Sequence, residues 1–237
     1  MDTTITTSDG TIDGYLAVPQ PEVSGPPPWP GVVVVHDMLG MSDDVRTIAE
    51  RFATAGYVAM VPNLYSRGGF ARCVRTTFRE LLAGSGRAHD DIDAARGALT
   101  GRDDCTGKAG IAGFCMGGGF ALLAATRDFD ASAPYYGQLP ADTSILDGAC
   151  PIVASFGGRD RVPDMKGAAG RLDQVLTGYG VPHDVKEYAD AGHSFANRMA
   201  GPLNALLRVG GMAYHHESSE DAWRRVMSFF AEHLGRA

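Results

Sequence analysis

The segment that most constrains the fold is residues 108–120, which reads KAGIAGFCMGGGF. Its first, apolar half predicts a short buried strand, and the alanine- and leucine-rich residues that follow predict a helix. Between them lies Cys115, with Gly113 two residues before it and Gly117 two residues after it. A reactive side chain at a strained strand-to-helix turn needs small neighbours, because larger ones would collide where strand and helix converge. The segment therefore predicts a nucleophile elbow in which cysteine is the nucleophile.

Two other interpretations of this turn stay open. A free cysteine can be a small buried hydrophobic residue, and glycine-rich strand-to-helix turns can bind phosphate. The phosphate interpretation is the weaker one, because the turn does not match G-x-G-x-x-G. The nearby segment 101–108 also departs from a P-loop, since Ala109 stands where Ser or Thr would bind magnesium. At an elbow, the positive end of the following helix would favour the thiolate form of Cys115.

Apolar and amphipathic segments alternate along the rest of the chain. Residues 3–7 and 13–18 predict an antiparallel hairpin, and the β-branched run 31–36 predicts a strand buried on both faces of a parallel sheet. The further predicted strands are 57–61, 109–112, 132–136, 151–156 and 183–188, and the predicted helices are 42–55, 71–83, 90–99, 120–125, 164–176 and 217–234. This order predicts an α/β fold with a mostly parallel central sheet, an antiparallel N-terminal edge hairpin and helices on both faces.

Composition narrows the functional classes. The chain has 237 residues, 44% of them hydrophobic, and a net charge of −7, which argues against a nucleic-acid partner. The first residues lack the pattern of a signal peptide, and no apolar run approaches the length of a membrane span. The four cysteines show neither close pairing nor metal-type spacing. We therefore expect a single domain over residues 1–237, cytoplasmic, monomeric or weakly homo-oligomeric, with no metal, no cofactor and no membrane partner.

The polar residues of interest follow predicted strands. In open α/β sheets the chemistry collects at the carboxyl ends of the strands. A thiol at Cys115 needs a base and the base needs an orienting group, and His193 and Asp160 follow the last two predicted strands in the order nucleophile, acid, histidine. Taken singly, Asp160 could be a turn or helix-cap residue and His193 an ordinary loop histidine. The backbone N–H groups of Met38 and Met116 are the expected oxyanion-hole donors.

On these residues the chain resembles the dienelactone hydrolase family. The resemblance implies an α/β-hydrolase fold and hydrolysis of a small ester or lactone, of dienelactone type, through a Cys-His-Asp triad and an acyl-thioenzyme. It covers nearly the whole chain, and cysteine in the elbow is its most specific part. The motifs that carry it are His36-Asp37-x-x-Gly40, Gly-Tyr57-Val with Pro62-x-Leu64-Tyr65, Gly-Phe-Cys115-x-Gly-Gly, Asp160 before Arg-Val-Pro, and Gly-His193-Ser-Phe.

The resemblance also implies an auxiliary acid near the resting thiol and a pocket for the substrate carboxylate. The acid is typically glutamate, and here it is Asp37, which is one methylene shorter. Family members that act on dienelactone hold its carboxylate with arginines and a tyrosine, and Asn197 stands where one such arginine follows the histidine. The candidate substrate-binding residues are Arg72, Arg75, Arg79, Tyr136, Phe195, Asn197 and Arg198. For Arg72, Arg75 and Arg79 a solvated helix face is the alternative, and on a helix of this kind it is the favoured one.

Two further functions stay open beside a small-ester or lactone hydrolase. One is a broad carboxylesterase. The other is a non-catalytic ligand-binding or thiol-sensing protein on a hydrolase fold, in which Cys115 is not a nucleophile. Residues 200–216 carry several leucines and could form a lid over the site or an interface.

Overall fold

A computed structural model describes residues 1–198 and 212–235 of the chain. The predicted lid or interface segment, 200–216, therefore lies largely outside the described residues. The strands are β1 Asp2–Thr7, β2 Gly10–Ala17, β3 Trp29–Val35, β4 Val58–Pro62, β5 Cys105–Phe114, β6 Ala131–Tyr135, β7 Ile152–Gly157 and β8 His183–Tyr188. The helices are α1 Pro21–Ser24, α2 Asp43–Thr54, α3 Phe70–Ala83, α4 Arg87–Thr100, α5 Met116–Ala124, α6 Ala168–Tyr179 and α7 His216–Leu234, with a 3₁₀ turn at Thr143–Leu146.

The strands form one eight-stranded sheet in the order β1-β2-β4-β3-β5-β6-β7-β8. The pairs β1–β2 and β2–β4 are antiparallel, and all pairs from β4 to β8 are parallel. The predicted α/β class, the mostly parallel sheet and the antiparallel edge hairpin are thus confirmed. The prediction that residues 1–237 form a single domain stays a prediction.

The centre of the sheet is apolar on both faces. Val32 and Val34 of β3 point into one core together with α2 and α7, while Val33 and Val35 point into a second core together with α4 and α5. A third apolar cluster lies under α6 against β7. Helices therefore cover both faces, which leaves the loops at the ends of the strands as the open part of the molecule.

Local sequence explains the start of α2. Ser42 caps this helix by accepting a hydrogen bond from the Val45 N–H at 3.3 Å. The predicted start of α6 at Asp164 is wrong: that residue has φ +66°, and the helix begins at Ala168 after Gly167 in a left-handed conformation. On α7, Ala222, Val226, Phe230 and Leu234 are buried, while Trp223 and Phe229 are only partly buried.

Among the described residues, no helix is both long enough and apolar enough to span a bilayer.

Candidate active site

Cys115 lies on the tight turn between β5 and α5. Its backbone has φ 55° and ψ −114°, a conformation that L-residues rarely adopt. A Cβ atom at Gly113 would lie 1.9 Å from the carbonyl oxygen of Gly117, and one at Gly117 would lie 2.2 Å from the Val35 oxygen. Neither position can therefore hold a side chain without moving backbone. The half-buried thiol is presented at the carboxyl end of the central strand.

Sequence reasoning missed a second close backbone contact at this turn, between α5 and the turn after β6. A Cβ atom at Gly118 would lie 2.4 Å from the Tyr135 oxygen, and one at Gly137 would lie 2.3 Å from the Gly118 carbonyl carbon. The turn after β6 thus presses directly against the first turn of α5. The available signal was the run of three glycines after Met116 together with the Tyr-Tyr-Gly at the end of β6.

The structure brings His193 and Asp160 together. His193 Nδ1 lies 2.7 Å from Asp160 Oδ2, and both side chains are buried. The other carboxylate oxygen of Asp160 accepts a hydrogen bond from the Val162 N–H at 2.9 Å. The loops after β7 and β8, which carry Asp160 and His193, are joined by a backbone hydrogen bond: the Arg159 N–H donates to the Ala191 oxygen at 2.9 Å. The imidazole is therefore fixed in position by groups on both loops.

The pKa of His193 follows from these partners. Burial alone would lower it, but the hydrogen bond to the Asp160 carboxylate and the interaction with the Cys115 side chain outweigh burial and raise the pKa of His193 to about 9. The imidazole thus bonds to an acid and interacts electrostatically with the Cys115 side chain. At neutral pH this arrangement favours a protonated imidazole beside the sulfur.

The loop after β3 is organised by His36, which is fully buried. Its Nε2 accepts a hydrogen bond from the Leu64 N–H at 3.2 Å, so the ring proton is on Nδ1. Nδ1 then donates to the carbonyl oxygen of Asp37 at 2.7 Å. Burial lowers the pKa of His36 to about 4, so the ring is neutral at physiological pH. Sequence reasoning gave this histidine no role beyond its motif.

Asp37 lies in the same loop and is 7% exposed. Its Oδ1 accepts a hydrogen bond from the Leu39 N–H at 2.8 Å. Burial raises the pKa of the Asp37 carboxyl to about 6, against the opposing effects of that N–H and of His193. Within the described residues its carboxyl group makes no hydrogen bond to Cys115, so any influence of Asp37 on the thiol is through space.

Tyr65 joins the two predicted oxyanion-hole residues. Its hydroxyl donates to the Met38 carbonyl oxygen at 3.1 Å and lies 3.7 Å from Met116 Sδ. The ring packs so closely on Gly40 that a Cβ atom there would lie 2.8 Å from it. Met116 is the first residue of α5, so its N–H has no acceptor within the helix. The loops after β3 and β4 are thereby held against the elbow.

Three of the predicted substrate-binding residues lie beside His193. The Tyr136 ring is 5.1 Å from the imidazole and 5.2 Å from the Phe195 ring, measured between centroids. The Tyr136 hydroxyl donates to Asn197 Oδ1 at 2.5 Å, and Asn197 Nδ2 donates to Asp44 Oδ2 at 2.8 Å. Asp44, which sequence reasoning did not single out, is 153 positions from Asn197.

The predicted arginines lie elsewhere. Arg75 and Arg79 are exposed on α3, and Arg72 borders a cleft of about 260 Å³ between α3 and α4. Arg198 donates to the Tyr214 hydroxyl at 2.9 Å and stacks over its ring at 4.7 Å. Among the described residues, none of these guanidinium groups makes a hydrogen bond or ion pair with Cys115, His193 or Asp160.

The described residues contain no cluster of three or more His, Cys, Asp or Glu side chains arranged to hold a metal ion.

A sheet of this topology with a tight, glycine-flanked strand-to-helix turn after its central strand defines an α/β-hydrolase fold. The sequence model described as the dienelactone hydrolase family matches residues 12–234. The chain belongs to this family, and it is a hydrolase of the kind that acts on esters or lactones.

Curated relatives and solved structures agree with this assignment. A candidate carboxymethylenebutenolidase of Yersinia pestis is 29% identical over 98% of this chain and 88% of that protein. Another, of Methylorubrum extorquens, is 28% identical over 95% of this chain and 78% of that protein. The structure of a candidate dienelactone hydrolase from Klebsiella pneumoniae is 26% identical, with a TM-score of 0.78, and covers 98% of this chain and 97% of that one. The structure of m3DLH, 24% identical with a TM-score of 0.81, supports the fold.

Proposed function

We propose that this protein hydrolyses a small ester or lactone with Cys115 as nucleophile, His193 as acid and base, and Asp160 as the group that orients His193. The observation that carries the proposal is the buried hydrogen bond between His193 and Asp160, on an imidazole that also interacts electrostatically with Cys115 at the strand-to-helix turn. Nucleophilic catalysis requires a nucleophile, a base that can take its proton and an acid that fixes the orientation of the base.

The reaction would proceed in two steps. The Cys115 thiolate attacks the carbonyl carbon and forms a tetrahedral oxyanion, which the N–H groups of Met38 and Met116 stabilise. The carbon–oxygen bond to the leaving group breaks, and the His193 imidazolium gives its proton to the departing oxygen, leaving a thioester. Neutral His193 then takes a proton from water as the hydroxide attacks the thioester. The acid leaves, and the thiolate and imidazolium are restored.

The contacts of His36 support the role of Met38. The Asp37 carbonyl oxygen, to which His36 Nδ1 donates, belongs to the same peptide group as the Met38 N–H. Because a trans peptide is planar, its N–H points away from its C=O, so a donor that fixes the carbonyl also fixes the N–H. The Gly40 N–H donates to the same oxygen at 3.2 Å. The peptide is thereby held in one orientation before substrate binds.

Asp37 is the proposed auxiliary acid. Its carboxyl interacts electrostatically with His193, and its pKa of about 6 lets it change charge near neutral pH. An ionised Asp37 beside the site would favour a protonated His193. We propose that it adjusts the charge of His193 through space, since its Oδ1 is already engaged by Leu39.

A non-catalytic ligand-binding or thiol-sensing function is the competing proposal. A sensor requires a reactive thiol but neither a fixed histidine nor the acid that orients it. The buried Asp160–His193 hydrogen bond therefore favours hydrolysis. A broad carboxylesterase would use the same residues and would differ in the substrates that it accepts.

The test compares 4-nitrophenyl acetate with a dienelactone on the wild type, Cys115→Ala and His193→Gln, with folding checked by circular dichroism. Cys150, half-buried and distant in sequence, offers Cys150→Ala as the matched thiol control. We expect hydrolysis in the wild type and in Cys150→Ala and its loss in the other two. Hydrolysis that survives in folded Cys115→Ala would overturn the proposal.

A further inference from the structure

A hydrogen-bonded chain of side chains leads from the His193 ring to the first turn of α2. Tyr136 is 1% exposed, and its ring centroid lies 5.1 Å from that of the imidazole. The Tyr136 hydroxyl donates to Asn197 Oδ1 at 2.5 Å, and Asn197 Nδ2 donates to Asp44 Oδ2 at 2.8 Å. The proposed reaction uses none of these three side chains.

The hydrogen bonds of this chain run in one direction. An ionised carboxylate can only accept, so the amide nitrogen of Asn197 faces Asp44 and its amide oxygen faces Tyr136, which must donate. Burial raises the pKa of Tyr136 well above its ordinary value, so the hydroxyl keeps the proton that it donates. Asp44 therefore fixes, through Asn197, the position of the Tyr136 hydroxyl.

The polar atoms of Tyr136 and Asn197 are directed at this chain and away from solvent. Asn197 is only 4% exposed, and Tyr136 is still more deeply buried. Both were predicted to bind substrate, but their partners in the structure are protein groups. Their place beside His193 therefore fits support of the imidazole better than contact with a substrate.

The backbone of Tyr136 is fixed as well. Its φ of +39° lies in the left-handed region, which a bulky residue rarely adopts. The Tyr136 N–H donates to the Ser155 oxygen at 2.7 Å, and the following Gly137 packs against the backbone of Gly118. A residue in such a conformation persists only where its surroundings hold it. The side chain of Tyr136 is thus held at both ends, by its backbone and by its hydroxyl.

The imidazole of His193 has a reason to need this contact. Its hydrogen bond to Asp160 fixes Nδ1, but a single bond leaves the ring able to tilt about that point. In the proposed reaction the other nitrogen, Nε2, gives a proton to the leaving oxygen and later takes one from water. Both transfers require hydrogen-bond geometry, so a small displacement of Nε2 slows them. An aromatic ring packed against the imidazole opposes that tilt.

We propose that Tyr136, held in place by Asn197 and Asp44, is a positioning residue that fixes the orientation of the His193 imidazole. The inference rests on the function proposed above and adds to it the device that keeps the base aligned. It assigns Tyr136 and Asn197 to the support of His193 rather than to the binding of substrate.

The experiment uses two pairs of variants. Tyr136→Phe removes the hydroxyl and keeps the ring, and Tyr15→Phe is its control, because the Tyr15 hydroxyl also bonds to α2, at 2.6 Å from Glu50, but on the exposed surface. Asp44→Ala removes the acceptor of Asn197. Asp44→Asn removes the charge and keeps an acceptor, since its amide oxygen can replace the carboxylate oxygen.

We expect Tyr136→Phe and Asp44→Ala to lower kcat for 4-nitrophenyl acetate about fivefold or more, with KM changed less than about twofold, because orientation is lost and binding is not. Asp44→Asn should recover most of the kcat that Asp44→Ala loses. Tyr15→Phe should stay within about twofold of the wild type. Circular dichroism confirms that each variant is folded.

Proton NMR gives a second measurement, which does not depend on turnover. The Nδ1 proton that His193 shares with Asp160 resonates far downfield, and His193→Gln identifies the signal by removing it. We expect this signal to broaden in Tyr136→Phe and in Asp44→Ala, because a ring that tilts exposes the proton to exchange with water. It should stay sharp in Tyr15→Phe.

Three results would each overturn the inference while the proposed function stands. They are unchanged kcat and an unchanged NMR signal in folded Tyr136→Phe, equal losses of kcat in Asp44→Asn and Asp44→Ala, and a rise in KM at constant kcat, which would place the hydroxyl on the substrate. If Tyr136→Phe does not fold, the two Asp44 variants decide. Hydrolysis that survives in folded Cys115→Ala would overturn the proposed function, and this inference with it.

Discussion

At the residue scale, two buried side chains in the loop after β3 differ in how burial affects their charge. His36 is neutral because both of its ring nitrogens are satisfied by backbone groups and burial lowers its pKa to about 4. Asp37 is buried with a single hydrogen bond to its carboxyl from the described residues, and its pKa is raised to about 6. The first side chain orients a peptide, and the second carries a charge that the folded state disfavours.

His36→Asn and His36→Gln separate the two contacts of His36. Asparagine can place an amide donor near the Nδ1 position and keep the bond to the Asp37 carbonyl, whereas glutamine reaches the Nε2 position and keeps only the contact with Leu64. Because the Asp37 carbonyl belongs to the peptide of the Met38 N–H, we expect kcat to fall about tenfold or more in His36→Gln and only a few-fold in His36→Asn, with KM little changed. Steady-state kinetics on folded protein measures both. Equal losses of kcat in the two variants would contradict a positioning role.

Asp37→Asn should stabilise the protein in a pH-dependent way. The folded-state pKa of about 6 lies above the ordinary value of 3.8, so the stability contributed by the protonated group is lost as pH rises from about 4 through 6. Above pH 7 the wild type carries the cost of a buried charge, and asparagine removes it while still accepting from the Leu39 N–H. We expect a gain of about 1–3 kcal/mol in the free energy of unfolding at pH 8.

Urea titrations of wild type and Asp37→Asn at pH 8 and at pH 4 measure this difference. The gain should shrink towards zero at pH 4, where both proteins are neutral at this position. A gain of the same size at both pH values would show that charge is not its cause.

At the scale of elements, the elbow is a contact between backbones. Gly113 of β5 and Gly117 of α5 approach each other so closely that the strand can turn into the helix only without side chains at these positions. The turn after β6 adds a further backbone contact against Gly118. The strained conformation of Cys115 is therefore maintained by the packing of three elements around it.

Gly113→Ala tests this packing against Gly97→Ala as a matched control. A Cβ atom at Gly113 meets backbone at 1.9 Å, whereas one at Gly97, on the exposed face of α4, meets nothing within 4 Å. We expect Gly113→Ala to lower the free energy of unfolding by about 3 kcal/mol or more, or to prevent folding. Gly97→Ala should raise it by about 0.5–1 kcal/mol, because alanine favours a helix interior. Similar stabilities of the two variants would contradict the contact.

Local sequence predicted the secondary-structure elements better than it predicted the contacts between them. Alternating apolar segments were sufficient to predict the eight strands, because each is a short apolar or alternating run bounded by turn residues. The start of α6 was wrong because the backbone conformations of Asp164 and Gly167, rather than helix propensity, set the boundary. The contact of Asn197 with Asp44 could not be predicted, since it joins the loop after β8 to the first turn of α2, which are adjacent only once the sheet has formed.

At the scale of the whole molecule, the parallel sheet brings loops from distant parts of the chain to one edge. The loops after β3, β5, β7 and β8 supply Met38, Cys115, Asp160 and His193. That these residues lie at one edge could be predicted, because parallel strands all end at the same edge. It could not be predicted which arginines reach that edge, and those of α3 lie away from the thiol. The catalytic roles of the residues stay predictions.

The central claim is that Cys115 carries the acyl group during turnover. The most direct measurement is mass spectrometry of enzyme quenched in acid during hydrolysis of 4-nitrophenyl acetate, followed by peptide mapping. We expect an acetyl group on the peptide that contains Cys115, and its accumulation in His193→Gln, where no base activates water for the second step. Rapid turnover with no acetyl group on Cys115 at any quench time, together with undiminished hydrolysis in Cys115→Ala, would contradict the account.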